Sequence, residues 1–200
     1  MTTFLIVGAT AVGQSVAERL LAANAGAVRL LHTPQEHLVA SVANRVTEYT
    51  GDLRKEATYQ APLQGQPVVF SALTGMDVDL AFEALFDAQY HQRLTYPRFV
   101  MLSTAGVDHE VQDELTYPGI SATDEYLNQQ RYAAKLVDEA EFPYTILRPV
   151  VMVDRPEEDA QIIPEGHPVP VGQVARESVA AVATDILING GYDYQSIAIC

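Results

Sequence analysis

Phe4–Leu21 reads FLIVGATAVGQSVAERLL, and the fold follows from its three parts. A short apolar run, Phe4–Val7, ends at Gly8. A tight turn comes next, and from Gly13 a helix-periodic stretch sets off with Val16, Ala17, Leu20 and Leu21 at helical spacing. Strand, glycine turn and helix in that order suit a dinucleotide pyrophosphate. The turn lets backbone come close, and the helix start offers unpaired N–H donors and the positive end of its dipole. Gly8 and Gly13 fill the first and third glycine positions of G-x-G-x-x-G. Thr10 stands at the middle position, where a side chain either crowds a pyrophosphate or hydrogen-bonds it. A strand–helix turn with glycines also occurs in α/β proteins that hold no nucleotide.

The 200 residues suit one domain, with 48% apolar and 19% charged residues, an ordinary globular balance. A formal net charge of −14 argues against nucleic acid and anionic membrane as partners, since both repel an acidic surface. It leaves a nucleotide cofactor open, because backbone donors and a helix end can hold phosphates. The opening residues show no basic n-region or cleavage site, and no run approaches the ~18 apolar residues of a membrane span. The one cysteine, Cys200, is the last residue, so neither a disulfide nor a thiolate metal site is expected. These features predict a soluble cytoplasmic protein without a metal.

Further strands are predicted at Val28–Leu31, Val46–Thr50, Pro67–Ser71, Arg98–Ser103 and Tyr144–Arg148, with Ser196–Ile199 as a last, edge strand. Helices are predicted over Glu36–Asn44, weakly over Lys55–Leu63, from Val78 through Gln89, after a Thr123 cap, and over Arg176–Ile188. Strands alternating with helices imply an α/β fold, a doubly wound parallel sheet in a three-layer αβα arrangement. Ligands in such sheets gather at the carboxyl ends of the strands where the winding reverses. That places Gly8–Gly13, His32, Asp52, Ser71–Leu73 and Ser103–Ala105 around one crevice. At the end of the second strand an acid selects NAD and an arginine NADP; here His32 and Thr33 stand, so the choice between NAD and NADP stays open.

Thr104–Ala122 lacks periodicity and carries Asp108, His109 and Glu110 beside the crevice, His109 being an acid/base candidate or a solvated side chain. In the following helix Tyr126, Gln130, Ala133, Val137 and Ala140 share an inward stripe. Between Asp154 and Pro170 five acids and four prolines forbid a long helix. Residues 154–172 are therefore expected as a small lobe or hairpin over the crevice, within a single domain spanning residues 1–200.

The chain resembles the atypical short-chain dehydrogenase/reductase proteins of the NmrA-like, NAD(P)-binding group over essentially its whole length. The likeness is carried by GATAVGQSVAERL, GDL at Gly51–Leu53, VVFSAL at Val68–Leu73, FVMLSTAGV at Phe99–Val107, PYTILRP at Pro143–Pro149 and RESVA at Arg176–Ala180. The opening turn departs from that group's frequent G-x-x-G-x-x-G and looks more like the turn of saccharopine-dehydrogenase-type Rossmann domains. The resemblance implies a Rossmann-type fold with Gly8, Thr10, Val12 and Gly13 along the pyrophosphate. It also implies Asp52 and Leu53 beside the adenine, Ala72 and Leu73 beside the ribose, and Ser103 and Thr104 near the nicotinamide.

Catalytic relatives use a tyrosine acid/base with a lysine four residues on, whose charge draws the phenol from ~10 towards neutrality. The resemblance places this tyrosine at Tyr126 and Gln130 in the lysine's position, touching the nicotinamide ribose. Tyr132 and Lys135 offer a second pairing, read as two surface residues. An NAD(P)-dependent oxidoreductase acting on a small carbonyl or alkene is therefore expected, with Tyr126, Ser103, Thr104 or His109 supplying the proton. A non-catalytic NAD(P)-binding regulator or redox sensor is the alternative, and a fold that has lost its nucleotide, with Thr10 filling the space, is a third. The substrate is unidentified and the oligomeric state is left open, a homodimer being admissible.

Overall fold

The computed structural model describes residues 2–111 and 116–200. The chain runs β1 (Thr3–Val7), α1 (Ala11–Ala22), β2 (Ala27–His32), α2 (Ala40–Ala43), β3 (Thr47–Thr50), α3 (Glu56–Tyr59), β4 (Val68–Ser71) and α4 (Val78–His91). It continues with β5 (Phe99–Leu102), α5 (Thr123–Asp138), β6 (Tyr144–Pro149), β7 (Val151–Val153), β8 (Ile162–Ile163), β9 (Gln173–Ala175), α6 (Arg176–Asn189) and β10 (Gln195–Ile199). The main sheet has the order β3-β2-β1-β4-β5-β6-β10-β8. Every pairing in it is parallel except β10 with β8. The winding reverses between β1 and β4, so the strand ends there open a cleft.

Strands β1, β4, β5 and β6 are almost entirely buried because helices cover both faces of the sheet. On one face α1 and α6 contribute Val12, Val16, Leu20, Val179, Ala183 and Ile186. On the other, α4 and α5 contribute Val78, Phe82, Leu85, Ala133 and Val137. Phe82, Phe86, Phe99 and Phe142 form an aromatic cluster in that layer, Phe86 stacked on Phe142 with centroids 5.9 Å apart. The fully buried rings Phe82, Phe99 and Phe142 each contribute ~1.5–3 kcal/mol through burial.

Several expected boundaries move. Helix α1 begins at Ala11, two residues before Gly13, because Thr10 is its N-cap. The helix expected over Glu36–Asn44 shrinks to the single turn α2, since Glu36 is used to close a turn on Thr33 instead. Thr123 is the first residue of α5 and not its cap; Ala122 precedes it and supplies no side chain. Strand β10 is not an edge: β6 pairs with it on one side and β8 on the other. Nor do residues 154–172 form a hairpin, because β7 and β9, which bracket them, pair in parallel. Their path instead lends Ile162–Ile163 to the main sheet and sets Glu157 against Arg19 of α1. Residues 112–115 of the irregular segment lie outside the described residues.

Candidate active site

Chemistry at the cleft begins with the turn between β1 and α1. Gly8 has φ +100°, a left-handed conformation that favours glycine. A Cβ on Gly13 would stand 2.3 Å from the Gly8 carbonyl oxygen and 3.1 Å from Ala72 Cβ, so only glycine lets α1 start this close to β1 and β4. Thr10 turns its hydroxyl into the protein, accepting from Gly13 N at 3.2 Å and donating to Ala72 O at 3.3 Å. The Gln14 amide reaches Thr10 O at 2.9 Å. The amides of Ala11 and Val12 open the helix with no intrahelical acceptor. The turn therefore fits a diphosphate, with the threonine hydroxyl tied into the cap.

Past this turn lies a pocket of about 550 Å³ between the ends of β2, β3 and β4. Thr10, Thr33, Asp52, Leu53 and Leu73 line it, together with Glu36, Arg54 and Asp77, which the sequence pattern did not single out. Thr33 N and Oγ1 both donate to one Glu36 oxygen, at 2.8 and 3.0 Å, and fix that carboxylate at the rim. Arg54, the one cation lining the pocket among the described residues, bonds Asp52 through Nε at 3.2 Å. Hydrogen bonds from Arg54, backbone first and side chain second, hold the Asp52 carboxyl below its usual range.

Two expected members are elsewhere. His32 is buried beneath the pocket, with Nε2 2.9 Å from Glu48 Oε1 on β3 and Nδ1 2.8 Å from Thr33 O, so both ring nitrogens are occupied by protein. Ala72 is buried as well, meeting the turn through its carbonyl.

A second pocket of about 310 Å³ adjoins the first at Thr74, which lines both. Ser103, Thr104 and Tyr126 come together here from the end of β5 and the start of α5. Tyr117, Pro118 and Ile120 close one side, Val150, Val151 and Met152 another, and Arg176, the first residue of α6, is its only charged wall among the described residues. The Tyr117 and Tyr126 rings meet with centroids 4.9 Å apart. Burial pushes the Tyr126 hydroxyl up to about 12, against a smaller opposing pull from the Thr104 hydroxyl. No lysine offsets this, since Lys55 pairs with Asp52 and Lys135 with Glu139. Tyr132 bonds Glu83 on the exposed face, so Tyr132 and Lys135 are surface residues. Gln130 is fully buried behind Ser103, whose hydroxyl donates to its Oε1 at 3.2 Å; its Nε2 has no partner among the described residues.

The loop after β5 is held by a buried ion cluster. Arg148 of β6 is 0% exposed, with Nη1 on Glu110, Nη2 on Ser196 O at 3.2 Å and Nε 3.3 Å from Asp108. Glu110 also accepts from Gly106 N and Asp108 N, both at 3.0 Å. This arrangement carries His109 away from the cleft: with φ +58° it borders a separate pocket beside His167 and Glu165. His109 is thus not among the residues that meet Tyr126. Tyr117 lies in the segment without periodicity, whereas Glu36 and Arg176 open expected helices, whose patterns mark the apolar face and not the polar residue at the pocket rim.

Residues 8–189 match the model of a family described as NAD(P)H-binding. Among solved structures, a short-chain dehydrogenase/reductase from Veillonella parvula DSM 2008 in complex with NADP is similar over 99% of this chain and 94% of its own, at 23% identity and a TM-score of 0.83. The anaerobilin reductase ChuY from Escherichia coli O157:H7 is similar over 99% and 96%, at 21% identity and a TM-score of 0.79. A Rossmann-fold NAD(P)-binding family protein from Shigella flexneri is similar over 100% and 93%, at 22% identity and a TM-score of 0.77. No curated protein matches the chain. The structural likenesses bear on the fold, which they share with the eight-stranded sheet described above.

Proposed function

The chain belongs to the NAD(P)H-binding family, and from that premise we propose that it is an NAD(P)-dependent oxidoreductase, reducing a small carbonyl or alkene in the cytoplasm. The observation that carries this reading is the second pocket, directly beyond the dinucleotide cleft, where the hydroxyl side chains Ser103, Thr104 and Tyr126 stand together with Thr74 and Tyr117, beside apolar groups and the one charge of Arg176. That ChuY is an anaerobilin reductase and the Veillonella protein a dehydrogenase/reductase supports it by analogy. A bound nicotinamide dinucleotide supplies the hydride. The chain's own share is to orient the acceptor, exclude water and deliver a proton. Tyr126 delivers it from Oη, with Ser103 fixed by Gln130 beside the acceptor oxygen.

With its hydroxyl pushed up to about 12 by burial, Tyr126 is protonated throughout the neutral range, ready to donate. The kcat for reduction is therefore expected to stay level from neutral pH to ~10, below the range where this phenol ionises. Consumption of NADH or NADPH over a panel of quinones, aldehydes, enones, 2-oxo acids and 2-enoic acids tests the reading. Tyr126→Phe is expected to lower kcat by about 10²-fold, the lower end of general-acid effects, with KM little changed. Tight nucleotide binding with flat traces across the panel would return the chain to the regulator reading.

For the choice of cofactor, the charges of the first pocket favour NAD(H). Glu36, Asp52 and Asp77 face one arginine that is already paired, a poor setting for a 2′-phosphate and a good one for ribose hydroxyls. NADH is expected to bind about tenfold tighter than NADPH, and Glu36→Gln, which keeps an oxygen for Thr33, to close most of that gap. Titration of nicotinamide fluorescence reads both affinities; an unchanged ratio in the variant would refute the assignment.

A further inference from the structure

We propose that the second pocket takes a substrate bearing a carboxylate, received by Arg176: a small oxo acid or unsaturated acid, not a neutral carbonyl compound. This deepens the oxidoreductase reading and rests on the second pocket being the substrate site. Arg176 is the only charged side chain lining that pocket among the described residues, opposite apolar groups from Ile120, Val150 and Met152. Its side chain is 25% exposed, and its one hydrogen bond among the described residues is from Nε to Asp154, 2.8 Å away.

Asp154 is itself 87% exposed and well hydrated, so it orients the guanidinium while neutralising it little. Both Nη groups are left without a protein partner among the described residues. The other arginines at least partly withdrawn from solvent are served differently. Arg148 engages Glu110, Asp108 and Ser196 O; Arg19 engages Glu157 and Glu177. Arg29, Arg98 and Arg131 each make two hydrogen bonds, Arg98 adding an ion pair to Asp193. A guanidinium on the pocket wall with its fork unused matches a planar two-oxygen acceptor, which it binds through two parallel N–H bonds. In a chain of net charge −14, an anion would otherwise be repelled from this end of the sheet.

The test separates this proposal from turnover. Benzoate and butyrate, and their neutral amides benzamide and butyramide, are titrated into the NADH-loaded protein and followed by the fluorescence of bound NADH. The carboxylates are expected to bind at least about tenfold tighter than the amides. Arg176→Gln is expected to erase that preference, Arg176→Lys to restore part of it, and the NADH affinity to stay within about twofold in both. Carboxylates that bind no better than amides, or not at all, would overturn the proposal. So would a loss of NADH affinity in Arg176→Gln as large as the loss of carboxylate binding, since the arginine would then serve the dinucleotide. A failure of the reductase reading shows instead as absent NADH consumption, with the carboxylate preference intact.

Discussion

Replacing Glu110 by alanine is expected to lower the unfolding free energy by about 3–5 kcal/mol, the usual loss when one partner of a buried ion pair is removed. Arg148 has no access to water, and without Glu110 its Nη1 loses its carboxylate; Ser196 O and the half-exposed Asp108 are what remains. The Gly106 and Asp108 amides lose their acceptor in the same step. Urea denaturation monitored by circular dichroism measures the loss as a shift in midpoint at constant slope. A companion variant separates charge from packing. Glu110→Leu combined with Arg148→Met removes both charges and is expected to recover most of the stability, because apolar replacement of a whole buried pair is often neutral or better. A double variant no more stable than Glu110→Ala would show that the cluster acts through its hydrogen bonds to the loop. Since that loop follows Thr104, Glu110→Ala is also expected to loosen the wall of the second pocket.

Gly13→Ala is expected to weaken NADH binding by more than about 100-fold, or ~2.7 kcal/mol, and to destabilise the fold by ~1–3 kcal/mol. The new methyl would meet the Gly8 carbonyl oxygen at 2.3 Å, and both atoms sit on backbone that cannot rotate away. The helix must then back off from β1 and β4, carrying with it the amides of Ala11 and Val12. Nucleotide titration beside a thermal melt resolves the two effects. Retained NADH affinity in a folded variant would mean that the diphosphate is held elsewhere.

The strands and most of the helices were legible because each announces itself locally. Phe4–Val7, Val68–Phe70 and Phe99–Leu102 are uninterrupted apolar runs, and Tyr126, Gln130, Ala133 and Val137 keep a strict helical stripe that the structure buries. The turn was legible because its glycines stand at fixed spacing. What escaped depends on partners distant in sequence. His32 looked like a cofactor contact until Glu48, on the neighbouring strand, took its ring. His109 looked catalytic until Arg148, 38 residues beyond Glu110, fixed the path of its loop. Two isoleucines in an acidic, proline-rich stretch give no periodicity, yet as β8 they convert β10 from edge to interior. Arg176 was visible only as one letter of a motif, because the pocket it lines is assembled from β5, α5 and the segment after β6.

The two margins of the large sheet also bear on how copies of the protein coexist at high concentration. On one side β8 offers only two residues before Pro164, and on the other β3 offers four, Thr47 to Thr50, with the Glu48 carboxylate among them. A stray strand arriving at either margin finds few free amides and carbonyls, interrupted by a proline or a negative charge. Short, interrupted margins of this kind disfavour growth of the sheet from molecule to molecule.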